Sequence, residues 1–304
     1  MTIKQIRVYS PGSIANLGPG FDVFGIAIEG VGDIVLLKEQ REQGIKICIQ
    51  GVGADKIPIA PEKNSSGAIL KHIIEKQGLS HGFEVEIHKG IPPGKGMGSS
   101  GASASATAIA VNEILELRLS KEQIVELAAL GEGAVAGAPH ADNVSASILG
   151  GFVMISPNWE FIQMDAPRID IVVAVPEIYI DNKTKVAREL LPKKVPLKDA
   201  VKNINYAARM AVAVARKDPV LFGKNICDYL IEPYRAAMIP YFWDVKQAAL
   251  DAGAYGCSIA GGGPSLFAVG ENIYEIGDAM KAAFKEIECQ LYYTQPSNRG
   301  ARVI

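Results

Sequence analysis

Ile91-Pro92-Pro93-Gly94-Lys95-Gly96-Met97-Gly98-Ser99-Ser100-Gly101 is the stretch on which the reading of this chain turns. Strand periodicity precedes it: Phe83, Val85 and Ile87 alternate with Glu84, Glu86 and His88, the pattern of a half-buried strand. Helix composition follows it, from about Ser99 to Glu116, and the Ala/Ser/Thr run 102–108 suits a helix that packs very closely. Glycine accepts backbone angles that other residues avoid, so this loop can turn several N–H groups toward one point. Such donors bind an anion, and a helix N-terminus behind them adds partial positive charge. Ser99 and Ser100 supply hydroxyls for a phosphate or for Mg²⁺, and Lys95 supplies a charge. Together these residues predict a triphosphate cradle.

Rival readings of the loop fit less well. Gly96-x-Gly98-x-x-Gly101 matches the dinucleotide fingerprint, which requires strand, turn, helix and strand. Here a second helix follows the first, from about Lys121 with Ser120 as its N-cap. The P-loop pattern Gly-x4-Gly-Lys-Ser/Thr is absent, as are the His-Arg-Asp and Asp-Phe-Gly signatures of protein kinases. A plain Gly/Ser connector is disfavoured because a linker between a clear strand and a clear helix is rarely this long.

Outward from the loop, strands and helices mix without strict βαβ alternation, which predicts an α+β fold. Upstream, Ile3–Tyr9 reads as a strand, 10–20 as a loop, Asp33–Lys38 and Ile45–Ile49 as strands, and Asn64–Gln77 as a helix. Downstream of Gly150-Gly151, Phe152–Ile155 and Ile169–Val175 read as strands. Helices are expected at 183–190, 198–216 and 241–252, a strand–turn–strand from Cys257 to Val269, a helix at 273–286 and a strand at 289–294. A boundary near Ser156-Pro157-Asn158 divides the chain into 1–156, which carries the phosphate loop, and 157–304.

Composition narrows the function. The 304 residues, 48% hydrophobic, suffice for one large or two ordinary domains. The 31 basic and 33 acidic residues nearly cancel, at a net charge of −2. No basic stripe points to nucleic acid. Apolar runs break well before the ~18 residues a membrane span needs. Met1–Arg7 has no apolar leader region. Cys48, Cys227, Cys257 and Cys289 stand far apart with no Cys-x-x-Cys pair, so reduced thiols in the cytoplasm are expected. His72, His81 and His88 lack metal-ligand spacing and read as structural.

Two further segments complete a constellation: Pro11-Gly12-Ser13-Ile14-Ala15-Asn16-Leu17-Gly18-Pro19-Gly20-Phe21-Asp22, and Ser258-Ile259-Ala260-Gly261-Gly262-Gly263-Pro264-Ser265. With the central loop they resemble the three motifs of the GHMP kinases in order and spacing. The family pattern Pro-x3-Gly-Leu-Gly-Ser-Ser-Ala reads here Pro92-x3-Gly96-Met97-Gly98-Ser99-Ser100-Gly101, with Met97 for Leu and Gly101 for Ala. Ala260 and Gly262 stand where Ser and Ala are usual. Gly137-Ala138-Pro139-His140-Ala141-Asp142-Asn143, Thr184-x3-Arg188 and Glu232-Pro233-Tyr234-Arg235 extend the likeness to the branch that phosphorylates homoserine. The resemblance implies an N-terminal α+β nucleotide domain, a C-terminal ferredoxin-like α+β domain, a site in the cleft between them and a homodimer. It also implies transfer of the γ-phosphate of ATP to L-homoserine, toward threonine. Other small-molecule kinases of the family, of shikimate or mevalonate type, and a non-catalytic ligand sensor on the same fold stay open.

By resemblance, Pro92, Pro93, Gly94, Lys95, Gly96, Met97, Gly98, Ser99, Ser100 and Gly101 hold the phosphates. Asn64 touches the adenine, although capping the helix it opens explains it equally well. Ser100 and Glu132 hold Mg²⁺, and a carboxylate suits that hard cation. A homoserine zwitterion needs an acid for its ammonium and a guanidinium for its carboxylate. Asp22 is the candidate acid; Arg188 and Arg235 are the candidate guanidinium groups. Asn16 and Asn143 can bond neutral groups, the attacking hydroxyl among them; Gly262 joins the substrate set, and His140 either bonds the substrate or is a structural histidine. Asp142 is the candidate general base, with proton loss to the phosphate or to water as the alternative.

Overall fold

A computed structural model describes residues 4–136, 141–180 and 183–304. The first strand, β1 (Gln5–Ala15), runs antiparallel to the 17-residue β2 (Phe24–Gln40), and β3 (Ile45–Gly51) lies parallel to the later β4 (Gly82–Lys89). Between β3 and β4 comes α1 (Ser65–Gln77). The stretch Ser10–Ala15, expected as loop, is strand. Pro11 has no N–H to donate and reads as a break, but the β1–β2 register shifts between Pro11 and Gly12, and a bulge accommodates a proline.

Beyond β4 the phosphate loop leads into α2 (Ser99–Ile114), followed by α3 (Lys121–Ala136) and α4 (Ala141–Leu149). Ser120 caps α3 as the sequence suggests. The Gln123 amide donates to Ser120 Oγ at 3.3 Å, and the Ser120 amide to Gln123 Oε1 at 2.8 Å. Every residue of α2 from Gly101 through Ala108 is buried. Small side chains let this helix sit between the sheet and its three helical neighbours, where Ala104, Ala108 and Val111 join Val35, Val85 and Ile69 in one core.

The hairpin of β5 (Phe152–Ile155) and β6 (Phe161–Met164) adds to the far part of β2. The expected boundary near 156 thus falls in the turn of a hairpin that belongs to the first sheet. The second half opens with β7 (Asp170–Pro176), then α5 (Lys183–Glu189), α6 (Leu197–Ala215), α7 (Pro219–Lys224), α8 (Glu232–Arg235) and α9 (Phe242–Asp251). The hairpin β8 (Gly256–Ile259) and β9 (Leu266–Gly270), α10 (Ile273–Ala283) and β10 (Cys289–Thr294) follow. The sheet order β10-β7-β9-β8, all antiparallel, with β-α-β-β-α-β succession, is ferredoxin-like. A last short strand, β11 (Arg302–Val303), returns to pair with β1.

Alternation along β7 joins the halves. Val172 and Ala174 face the core under α9 and α10, with Phe242, Ile276 and Phe284. Ile171, Val173 and Val175 enter a core shared with α6 and with Ile14, Phe24, Ile26 and Phe152 of the first sheet. A strand buried on both faces reads as a continuous apolar run, as Ile171–Val175 does. Among the described residues no helix is long and apolar enough to cross a membrane.

Candidate active site

Gly94, Gly96 and Gly98 take left-handed backbone, at φ of 74°, 85° and 69°. At two of them glycine is needed for space as well: a Cβ on Gly96 would overlap the Ala260 carbonyl oxygen, and one on Gly98 would overlap Ser13 Oγ. The loop is therefore pressed against β1 on one side and the 260–263 turn on the other. The Ser13 amide donates to the Met97 carbonyl at 3.1 Å. Gly98 is also the N-cap of α2 and brings no capping side chain, so the first amides of α2 face the cleft without a side-chain acceptor from that position.

Behind the loop lies a buried ion pair that the sequence reading passed over. Lys89, at the end of β4, contacts Asp33 of β2 and donates to the Ser99 carbonyl and to Ser103 Oγ, both at 2.8 Å. Asp33 accepts from the Gly90 amide at 3.1 Å and the Ile91 amide at 3.3 Å. Burial pushes the Lys89 ammonium below its ordinary pKa, and the Asp33 carboxylate works against that push. The pair ties both ends of the glycine loop to the sheet. The signal was available: Asp33 and Lys89 interrupt the buried faces of otherwise apolar strands.

The cleft beyond the loop encloses about 350 Å³. Ser100 Oγ donates to Glu132 Oε1 at 2.9 Å, and Glu132 is only 3% exposed. A hydroxyl and a buried carboxylate meeting beside the loop are hard oxygen donors, and they fit Mg²⁺, which takes one or two carboxylates plus phosphate oxygens. Among the described residues no three or more of His, Cys, Asp and Glu are placed to hold a metal ion together, so such an ion would depend on the nucleotide for further ligands. Asn64 lines the far end of the cleft. Its Oδ1 caps α1 through the amides of Ser66 at 3.0 Å and Gly67 at 3.4 Å, and its Nδ2 donates to the Pro58 carbonyl at 2.9 Å.

Opposite the loop is a charged pole. Asn16 and Asp22 both have left-handed backbone, at φ of 71° and 54°. Asn16 Oδ1 accepts from the Asp22 amide at 3.1 Å, and its Nδ2 donates to the Gly261 carbonyl at 2.8 Å. Asp22 Oδ2 lies 3.7 Å from Arg188 Nη1. Arg235, 7% exposed, reaches the Gly261 carbonyl at 3.4 Å and stacks on the Phe21 ring at 5.0 Å. Burial lowers its pKa, while Asp22 and Asp142 pull it up and Arg188 pushes it down. Asp142, 4% exposed, accepts from the Asn143 amide at 2.8 Å, and Asn143 Oδ1 accepts from Ser13 Oγ at 3.0 Å.

Residues 64–151 match the model of the GHMP kinases N terminal domain, and residues 210–286 that of the GHMP kinases C terminal region. A homoserine kinase of Methanococcus vannielii is 42% identical over 297 residues, covering 96% of each chain. This chain belongs to the GHMP kinase family. A homoserine kinase of Pyrococcus abyssi is 40% identical over 97% of this chain and 98% of its own. The crystal structure of homoserine kinase from Cytophaga hutchinsonii superposes with a TM-score of 0.90 at 35% identity, over 100% of this chain and 99% of that one. An L. major mevalonate kinase, with TM-score 0.72 at 17% identity, shares the fold.

Set against this family's motifs, the expected residues fall into three groups. Asn16, Asp22, Asn64, Pro93, Gly94, Gly96, Gly98, Ser99, Ser100, Glu132, Asp142, Asn143, Arg188, Arg235 and Gly262 all line one cleft. Four others are not among its lining. Met97 is wholly buried with Ile91 and Ala102, and Pro92 is buried beside them in sequence. Lys95 turns away: its Nζ donates to the Pro176 carbonyl at 2.7 Å and lies 3.6 Å from Glu177, where acceptor and counter-charge await it at the end of β7. Gly101 backs onto Asn143 and Glu132. His140 lies outside the described residues.

Gly101 is not needed for space. A Cβ there would meet Asn143 Cβ at 3.4 Å, Val144 Cγ1 at 3.6 Å and Glu132 Oε1 at 3.7 Å, ordinary contacts. Gly101→Ala, which restores the family residue, is expected to stabilise the protein by about 0.5–1 kcal/mol through helix propensity. Chemical denaturation measures this, and a lowered midpoint would show that the helix start needs the gap.

Two functional features escaped the sequence. Lys183, at the start of α5, lines the cleft and donates to the Gly263 carbonyl at 2.6 Å. A network anchors the start of α8, the helix that carries Arg235: Asp228 accepts from the amides of Leu230, Ile231 and Glu232 at 2.7, 2.9 and 2.9 Å, and Glu232 contacts Lys246 and accepts from Ser258 Oγ at 2.5 Å. Its members come from three distant segments, so no local pattern announces it.

Proposed function

We propose that this protein transfers the γ-phosphate of ATP to the side-chain hydroxyl of L-homoserine. One observation carries the reading: the glycine loop and a pole of opposite charges, Asp22 with Arg188 and Arg235, face each other across a single cleft. An acid beside two guanidinium groups suits a zwitterionic amino acid, whereas mevalonate or shikimate offers no ammonium for Asp22. The curated relatives named above, which carry the name homoserine kinase over their whole lengths, support the choice.

The residues divide the work by chemistry. Amides of the 94–98 loop and the first turn of α2 take the phosphate oxygens. Ser100 and Glu132 hold Mg²⁺, which neutralises the charge of the polyphosphate when bound. Arg188 and Arg235 take the carboxylate, Asp22 the ammonium, and Asn143 and Asn16 the neutral polar groups. Attack of the homoserine oxygen on the γ-phosphorus breaks the bond to the β–γ bridging oxygen and releases ADP. The hydroxyl proton leaves to Asp142 or to the transferred phosphoryl group; in a loose transition state a strong base is not required.

A coupled ADP-release assay across homoserine, mevalonate, shikimate and serine tests the assignment, and absence of turnover with homoserine rejects it. Asp142→Asn is expected to lower kcat by roughly 10²-fold if Asp142 takes the proton. Rates equal to wild type would remove it from the catalytic set. We place the enzyme in the cytoplasm, in the synthesis of threonine, acting without nucleic acid or membrane. We also propose a homodimer. Leu197, Val201, Ile204 and Val212 form an exposed apolar stripe along α6 that a second copy would cover, and a monomer mass in sedimentation at micromolar concentration would refute this.

A further inference from the structure

Lys183 belongs to none of the motifs, yet its ammonium stands over the turn that closes the acceptor end of the cleft. Nζ donates to the Gly263 carbonyl at 2.6 Å, and a Cβ built on Gly262 would lie 3.8 Å from it. Arg235 and Asn16 hold the same turn through the Gly261 carbonyl, at 3.4 Å and 2.8 Å. Gly262 has no side chain, so the space before these groups stays open.

The charges around Lys183 come from several elements. Arg235 of α8 and Lys95 of the phosphate loop both repel it, and Lys95 has Glu177 beside it at 3.6 Å. Arg188, farther along α5, is opposed by Asp22 at 3.7 Å. Asp142 of α4 is the other carboxylate at this end of the cleft. Burial first, then Arg235 and Lys95, bring the Lys183 pKa down to about 8. A desolvated cation among cations is unfavourable in the free protein, and an anion bound there relieves it.

We propose that Lys183 is a third cationic ligand for the carboxylate of the amino-acid acceptor, acting with Arg188 and Arg235. The proposal rests on the acceptor reading given above. Its consequence is an alkaline limit on acceptor capture. Protonated Lys183 attracts the carboxylate and neutral Lys183 does not. Because kcat/KM reports groups of the free enzyme, it falls as pH rises through about 8. The bound anion raises the Lys183 pKa, so kcat holds to higher pH.

Steady-state kinetics of the whole protein with ATP and L-homoserine between about pH 7 and 9.5 test this in wild type, Lys183→Met and Lys183→Arg. Lys183→Met is expected to raise the homoserine KM at least tenfold at neutral pH while the ATP KM stays within about twofold, and to lose the inflection near 8. Lys183→Arg is expected to retain the neutral-pH KM and also to lose the inflection, because a guanidinium does not titrate there. An unchanged homoserine KM in Lys183→Met overturns the proposal. So does an inflection that survives in Lys183→Arg, even if the Met variant does not fold. Absence of wild-type turnover with homoserine would sink the functional reading and this inference with it. Normal wild-type turnover with an indifferent Lys183→Met sinks the inference alone.

Discussion

Arg235→Met is expected to lower kcat/KM for homoserine by roughly 10³-fold, about 4 kcal/mol, while the KM for ATP changes little. The guanidinium is buried, belongs to the helix whose start the Asp228–Glu232 network anchors, and stacks on Phe21. Removing it leaves the acceptor carboxylate facing a low-dielectric wall with one partner fewer. Stability should move the other way or not at all. In the free protein the structure shows Arg235 hydrogen-bonded to the carbonyls of Ala187 and Gly261 at 3.4 Å, long contacts for a buried charge. Methionine fills similar volume without the desolvation cost, so the unfolding midpoint should hold or rise. Initial-rate kinetics and thermal unfolding on one preparation check both halves. A change in kcat/KM below tenfold would place the carboxylate elsewhere.

Gly96→Ala is expected to damage both stability and turnover severely. At φ of 85° an alanine costs about 1–2 kcal/mol by itself. The added methyl would also overlap the Ala260 carbonyl, a backbone atom that cannot rotate aside, and would lie 3.2 Å from the Gly263 carbonyl. The loop and the 260–263 turn must then part, which opens the cleft where donor and acceptor meet. We expect a loss of more than about 3 kcal/mol in stability and a fall in kcat of roughly 10²-fold or more. Gly94→Ala is the control for stability. Its φ of 74° is as unfavourable, but no protein atom lies within 4 Å of the added carbon, so it should cost only about 1 kcal/mol. Equal losses in urea unfolding for the two variants would mean that the close approach to Ala260 contributes nothing.

How far the site was legible followed the range of the interactions that make it. The glycine loop, the Ser120 cap and the alternating strand 83–87 are local, and each appears where its own few residues predict. The strand half Ser10–Ala15 was missed because a proline there is tolerable only through a bulge against Gly32 and Ile28, residues distant in sequence. Lys95 looked like a phosphate ligand from its neighbours in the loop, but the β7 terminus, some eighty positions on, captures its charge.

By itself the sequence determined the longer helices, the strands that flank the phosphate loop and the three glycine-rich turns, because periodicity and backbone freedom are properties of short segments; the short elements α4, β6, α7, α8 and β11 carry too little pattern to be read that way. Only the tertiary structure decided what those turns face. It set Asp33 against Lys89, Arg188 against Asp22, and Lys183 over Gly263, since a charge is fixed by whichever acceptor folding brings within hydrogen-bond reach. The physical reason is that each pair joins segments far apart in the chain, β2 with β4, the loop after β1 with α5, and α5 with the turn between β8 and β9, and chain separation carries no record of spatial distance.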